Sequence, residues 1–524
     1  MKKTIIIVIV LLCALLSFVI WINTGDEKLG LSTEESAAVK VAKKPVIVLM
    51  IDSLMDHSLR RAINEGRAPA LQFFFEHGHY QPEVVSSYPT MSVTIDSTLL
   101  TGTYPDRHRV PGLVWYNQNE RRIVNYGSGK KEIAALGVRR AIKDSMYSLN
   151  QKHLDQRVKT VHEELDRRKK HSASINGLVY RGNHHHDLNV PPPVQRLRLM
   201  PEHMTVKGPA IFSFGRFAQL DPKNRHQRFW QGYGLNDQFT AQELSYLIRK
   251  NKLPSLTVAY LPDNDHSTHK KGPADISGLE KTDRQLQRIL NAFDSWDAAA
   301  QQAVWVVMGD SGQTSIGRDQ NKAVIRLHSL FKHYRIAKIN KGPYEKDQLL
   351  FAVNDRMSFI YVLDQTIPAK DAAKPLLQDE RVGFAAWKEN GWVYVAAKHA
   401  ANPLRFRPKG AYADQYGQSW AIAGDFSVLD LSASGHSLRY GNYPDALARL
   451  YGALHSHPGR YIIADAKPGF QFAGETSPTH PGGGGHGSLY KTDSLAPMII
   501  IGAEKAPAHL RHIDAKDFFS KLVQ

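Results

Sequence analysis

Pro45-Val46-Ile47-Val48-Leu49-Met50-Ile51-Asp52 is the stretch from which the fold can be read. Six apolar residues in a row, β-branched and long, without alternation, form the pattern of a strand buried on both faces of a parallel sheet. Such a strand carries Asp52 to its carboxyl end, where open α/β sheets place their ligands. Two later runs repeat the form: Leu256 to Tyr260 leads into Pro262 and Asp263, and Ala303 to Met308 leads into Gly309 and Asp310. Helical patterns follow in Gly278 to Phe293 and Tyr443 to Leu454. The β-then-α alternation predicts an α/β fold with a doubly wound, mostly parallel central sheet and helices on both faces.

Working outward, the folded domain is expected over 45–524. The irregular stretch of about 117–249 reads as part crossover and part cap insertion, and about 333–474 as a smaller subdomain with short strands around Phe359 to Leu363 and Trp392 to Ala396. No repeat of fixed period occurs, which excludes a solenoid. Residues 26–44 are polar and form a spacer. Before them, Ile5 to Ile22 is apolar apart from Ser17 and follows Lys2 and Lys3, long enough to cross a hydrocarbon layer of about 30 Å. The positive flank keeps the N-terminus cytoplasmic. Residues 1–25 are therefore expected to be an uncleaved single-pass membrane anchor with the domain extracytoplasmic. The alternative is a cleaved signal and a secreted protein, although no A-x-A site follows the run.

The chain has 524 residues, 42% of them apolar, and one cysteine, Cys13, inside the anchor. That excludes a disulfide framework and a cysteine zinc site, so any metal must be held by Asp, His and hydroxyl groups. The formal charge is +17, a field that concentrates anions of several kinds. Its basic residues are dispersed, as in Arg139 to Lys143 and Arg405 to Lys409, without the aromatic interleaving of a nucleic-acid groove. No nucleic-acid polymer is expected as a partner.

Four segments carry chemistry. Asp52 ends its strand, where it would also serve as a helix cap. Tyr88-Pro89-Thr90-Met91-Ser92 opens a hydroxyl-rich helix running to Thr101-Gly102, then Thr103-Tyr104-Pro105-Asp106-Arg107-His108; a hydroxyl at a helix N-terminus suits a phosphate or an incipient alkoxide. Asp106 and His108 are read as ordering the turn after this helix. In Asp263-Asn264-Asp265-His266-Ser267-Thr268-His269, one helical turn brings Asp265 and His269 to one side, as sharing a metal requires, with Asp263 and His266 as spare candidates. The fourth comprises Asp310 and the distant His486 in Gly482-Gly483-Gly484-Gly485-His486-Gly487-Ser488, where glycines let the backbone approach a site closely. His184-His185-His186 lies in an irregular segment and reads as a solvated loop.

In this order the segments resemble the type I phosphodiesterase/nucleotide pyrophosphatase branch of the alkaline phosphatase superfamily, from about Pro45 to Gly502. The resemblance implies metal-dependent hydrolysis of phosphate esters, two divalent ions, and a small anionic phosphate-ester substrate. Asp265, His269 and His486 match the ligands of one ion, usually zinc; Asp52, Asp310 and Ser92 match those of the other, which zinc, manganese or magnesium would fill. Ser92 matches the nucleophile, forming a phosphoseryl intermediate, with Thr90 as fallback.

Two departures qualify the match. Asp310-Ser311-Gly312 stands where relatives have D-H-G, so an imidazole is missing; Ser311, a water, His266 or Asp263 are the substitutes, or a harder ion binds. Leu113 stands where diesterases often carry an asparagine, leaving Arg109 or a backbone N–H to bind the phosphoryl oxygen. A cell-envelope phosphoglycerol or phosphoethanolamine transferase, and a non-catalytic phosphate-ligand-binding member of the fold, are the competing readings. A sulfatase is excluded because its C/S-x-P-x-R motif occurs only at Ser456 to Arg460, far too late.

Overall fold

A computed structural model describes residue 42, residues 44–503 and residues 506–523. The expected anchor at 1–25 and almost all of the spacer lie outside these residues. None of the described helices is long and apolar enough to cross a membrane.

Val46–Ile51 is the central strand, and none of its residues is more than 1% exposed. Its side chains alternate between two cores. Val46, Val48 and Met50 join one and Ile47, Leu49 and Ile51 the other, the continuous apolar run of a strand covered on both faces. It pairs in parallel with Leu256–Leu261 on one side and Val304–Gly309 on the other. The complete order is His79–Val85, Leu495–Ile501, Val304–Gly309, Val46–Ile51, Leu256–Leu261, Ser172–Ile175 and Ile211–Ser213. Leu495–Ile501 runs antiparallel to both of its neighbours, so the sheet is mixed, with a single strand reversed. Helices Asp56–Asn64, Asp237–Arg249 and Ser277–Leu290 bury Leu59, Leu244 and Leu286 on one face. Ser92–Thr101, Val161–Arg167 and Ala446–Leu454 bury Leu99, Leu165 and Leu450 on the other.

A second, nine-stranded sheet is built between Leu349 and Ala466. One of its faces contributes Ala352, Phe359, Tyr361 and Phe384 to the core beneath the central sheet. The opposite face packs Phe351, Ile360 and Ile462 against Ala372 and Leu376 of helix Ala369–Gln378. The stretch 117–249, read from sequence as crossover and cap, supplies two strands of the central sheet, Ser172–Ile175 and Ile211–Ser213. His184 to His186 are not a solvated loop. His184–Asp187 is a strand paired with Thr205–Gly208, and its alternation turns His186 inward to the carbonyl of Pro209, at 2.7 Å. His184 reaches Asp166 at 2.9 Å.

Candidate active site

The register of three parallel strands builds the site. Ile51 lies opposite both Gly309 and Leu261, so the strands end in step. Asp52, Asp310 and the helix Asp263–Lys271 thereby emerge at one edge. Asp310 is fully buried; its Oδ1 accepts the N–H groups of Ser53 at 2.9 Å and Ser311 at 2.7 Å. Tyr260 donates its hydroxyl to Asp52. Ser92 is the first residue of helix Ser92–Thr101, which no side chain caps, and its hydroxyl helps to hold the charge of Asp310. The N-terminal end of that helix dipole favours negative charge at this point.

One turn below Ser92 on the same helix, Asp96 is 1% exposed. Three carboxylates are thus enclosed together, and burial pushes all of them above the usual carboxylate range. Asp310 and Asp265 add to the effect at Asp52, and Asp310 adds to it at Asp96. Asp310 Oδ2, Ser311 Oγ and Asp96 Oδ1 are buried and have no hydrogen-bond partner. Buried polar groups are rarely left so. Carboxylate and hydroxyl oxygens with unspent lone pairs are what a hard divalent cation takes. The residues present at this end of the sheet fit such an ion.

Asp265 and His269 lie one turn apart on the helix Asp263–Lys271, and His486 arrives from the glycine-rich loop. The separations are 3.3 Å from His269 Nε2 to Asp265 Oδ1, 3.7 Å from His486 Nε2 to Asp265 Oδ1, and 3.2 Å between the two Nε2 atoms. Donors about 2.0–2.1 Å from a tetrahedral ion stand roughly 3.3 Å apart, so the spacing suits zinc. The tautomers suit it as well. His269 Nδ1 contacts the carbonyl of Gly484 at 2.9 Å and His486 Nδ1 that of Thr90, which protonates each Nδ1 and leaves Nε2 free to ligate. Asp265 Oδ1 also accepts from Ser53 at 2.8 Å and from Gln313 at 2.7 Å. The glycines are required here: a Cβ on Gly483 would lie 1.9 Å from the carbonyl oxygen of His269.

The loop carrying His486 is held from below by a fully buried ion pair between Arg356 and Asp493. Arg356 N donates to the carbonyl of His486 at 2.9 Å, and Asp493 accepts from Ser488 N at 2.9 Å.

These groups open into a cavity of about 400 Å³ lined by Ser92, Asp265, His266, His269 and His486, with Leu113, Tyr126 and Leu178 forming an apolar wall. The other sequence candidates fall as follows. Thr90 is buried and its hydroxyl is occupied, accepting Gly487 N at 2.6 Å. Asp263 accepts from Asp237 N at 3.2 Å. Arg109 does not reach the cavity: its guanidinium donates to the carbonyl of His455 at 2.6 Å and lines a separate cleft with Trp115 and His457. The positive φ of 65° at Arg109 marks the end of the preceding helix, where the chain turns away from the helix Ser92–Thr101. His108 ties down that turn, with Nε2 3.0 Å from Thr98 Oγ1 and Nδ1 accepting Val110 N at 3.1 Å.

Sequence reasoning passed over Asp96, Gln313, Asp355 and His480. Asp355 and His480 line the same cavity, and with His269 they bring donor atoms within 4.8 Å of one another. The available signal for His480 was its position six residues before His486, at the other end of the glycine run. Asp355 gave none, since it lies in an ordinary strand-to-strand turn.

A sequence model of type I phosphodiesterase/nucleotide pyrophosphatase matches residues 46–382. No curated protein sequence matches the chain. Among solved structures, phosphonoacetate hydrolase from Sinorhizobium meliloti 1021, in complex with phosphonoformate, is 14% identical, with a TM-score of 0.54 over 93% of this chain and 99% of its own. Murine ectonucleotide pyrophosphatase/phosphodiesterase 5 is 12% identical, with a TM-score of 0.54 over 92% and 95% respectively; the human protein gives 12% and 0.53 over the same shares. At these identities the likeness is one of fold.

Proposed function

The chain belongs to the type I phosphodiesterase/nucleotide pyrophosphatase family, and we propose that it hydrolyses small phosphate esters with two divalent cations and a phosphoseryl intermediate on Ser92. The observation that carries the reading is the meeting, at the ends of in-step strands, of a serine at a helix N-terminus, a buried carboxylate cluster and an Asp-His-His triad. Asp265, His269 and His486 would hold a zinc ion. Asp52, Asp310 and Ser92, with Asp96 as a further oxygen donor, would hold a harder one such as Mn²⁺ or Mg²⁺. Bound there, the ions would lower the pKa of the attacking hydroxyl and of a water and offset the charge on the leaving oxygen.

The chain's own residues supply the positioning. Ser92 Oγ gives up its proton and attacks phosphorus as the bond to the leaving oxygen breaks, the leaving oxygen taking up a proton to depart as an alcohol. Water then cleaves the Ser92–phosphate bond, its oxygen going to phosphorus and one of its protons to Ser92 Oγ, which releases phosphate from a monoester or a phosphomonoester from a diester. Ser92 is favoured over Thr90 because it lines the cavity, whereas the Thr90 hydroxyl already binds the loop of His486. With Arg109 turned away, the first N–H groups of the helix Ser92–Thr101 are the placed donors for the phosphoryl oxygens. The apolar wall of Leu113, Tyr126 and Leu178 suits a leaving group with an apolar or aromatic face. The solved relatives were captured with a nucleotide monophosphate in one case and phosphonoacetate in another, ligands that share a small anionic phosphorus group. Membrane attachment through Ile5 to Ile22, with the domain outside, belongs to the same proposal. Protease shaving of cells stripped of any outer barrier would release the domain, and full protection would refute that placement.

The test is hydrolysis of p-nitrophenyl phosphate and bis-p-nitrophenyl phosphate by the purified protein, with and without chelator. Chelator-sensitive turnover, abolished in Ser92→Ala, is expected. Turnover surviving in Ser92→Ala but lost in Thr90→Ala would reassign the nucleophile, and no metal-dependent hydrolysis of either ester would overturn the reading.

A further inference from the structure

Five ionisable side chains meet on one wall of the cavity, and the triad Asp265, His269 and His486 accounts for three. The other two, Asp355 and His480, form with His269 another group whose donor atoms all lie within 4.8 Å of one another. Asp355 sits in the turn joining Leu349–Asn354 to Met357–Val362, with a positive φ of 56°. Its side chain is only 8% exposed. Oδ2 accepts the N–H of His486 at 3.0 Å, while Oδ1 is buried without a partner. His480 Nδ1 is likewise buried without a partner and stands 3.7 Å from Asp355 Oδ2. That distance is too long for a hydrogen bond, yet it is in the range of two donors on one ion. The loop is shaped around the carboxylate, since a Cβ on Gly485 would fall 2.8 Å from Asp355 Oδ2. The His480 ring lies over that of His269 with centroids 4.2 Å apart.

We propose that Asp355 and His480 hold an additional divalent cation, next to that of Asp265, His269 and His486, with the His269 ring standing between the two positions. One carboxylate and one imidazole, with the remaining positions open to water, make a set suited to zinc, cobalt or manganese. His269 is the shared corner. Its Nδ1 is engaged by Gly484, so a single Nε2 lone pair serves both positions and only one ion can take it. The triad with the tighter spacing holds its ion first. A second ion then rests on Asp355 and His480, completes its shell with water or a substrate oxygen, and binds more weakly. The inference rests on the metallohydrolase reading of this cavity, but metal binding is measured without turnover.

A plain ion pair bracing the His486 loop is the competing account, and it makes no difference to metal stoichiometry. The experiment is titration of Co²⁺ into the chelator-stripped protein, followed by calorimetry and visible absorption. It uses the parent, Asp310→Asn to disable the position beside Ser92, and Asp355→Asn and His480→Gln each combined with Asp310→Asn, with circular dichroism to verify folding. A tight event is expected in every protein. A weaker event should survive Asp310→Asn and weaken at least tenfold when Asp355→Asn or His480→Gln is added to it. The proposal is overturned if the weaker event disappears with Asp310→Asn, if it is unchanged in both of the other variants, or if no weaker event occurs. Absence of any cobalt binding by the parent would overturn this proposal together with the metal reading of the whole cavity.

Discussion

Replacing Asp96 by asparagine should stabilise the metal-free protein, the reverse of what most changes at a fully buried side chain do. Asp96 is 1% exposed, its Oδ1 has no partner, and burial followed by the nearby Asp310 raises its pKa well above the ordinary 3.8. The sign follows from linkage. A carboxyl whose folded pKa is raised keeps its proton in the native state after the unfolded chain has released it, so its contribution is favourable only below 3.8 and worsens as pH climbs towards the folded value. The loss is about 1.4 kcal/mol per pH unit. Asparagine is nearly isosteric and does not titrate. The advantage of Asp96→Asn in chelator should therefore grow by up to about 1.4 kcal/mol between pH 4.5 and 5.5. Urea unfolding at these two pH values, with tryptophan fluorescence as the probe, measures it. Addition of Mn²⁺ should then stabilise the parent more than the variant, because the variant lacks one oxygen donor for the ion. Metal-free Asp96→Asn that is less stable than the parent, with the same pH slope, would refute the reasoning: Asp96 would then be an ordinary satisfied core residue.

Ser311→His should restore an imidazole beside Asp310, tighten the weaker ion and lower the Mn²⁺ or Mg²⁺ concentration needed for half-maximal hydrolysis; an unchanged requirement counts against unequal ion positions. In the unmodified protein the ion of Asp265, His269 and His486 should survive dialysis and the one beside Ser92 should not, which metal analysis decides. Thr90→Ala removes the acceptor for Gly487 N at 2.6 Å and should cost about 1 kcal/mol of stability while retaining turnover, as a denaturant midpoint paired with a turnover assay will show. Arg356→Met leaves Asp493 as an uncompensated charge at 0% exposure and should cost about 3–5 kcal/mol, measured by urea unfolding, with zinc affinity falling because the His486 loop loses its support.

The sequence by itself determined the parts whose signals are local. An unbroken apolar run of six residues rich in β-branched types reads as a strand covered on both faces, and the carboxylate after each run follows from where such strands end. Asp265 and His269 meet because one helical turn separates them, and the structure forms that turn within Asp263–Lys271. Trp392–Ala396 is a strand as its composition indicates. Tertiary structure decided everything that depends on where distant backbones cross. Asp96 becomes a member of the carboxylate cluster only because its helix packs beside the end of the strand that bears Asp310, and no pattern around residue 96 encodes that. Asp355 and His480 are 125 residues apart and meet through the folding of a glycine loop onto a strand turn. Arg109 is sent away from the cavity by a left-handed backbone step at the end of a four-residue helix, and His184 to His186 are drawn into a hairpin by a partner strand 21 residues later. Periodicity reports which faces of an element are apolar. Which polar groups are enclosed together is settled only when those faces pack.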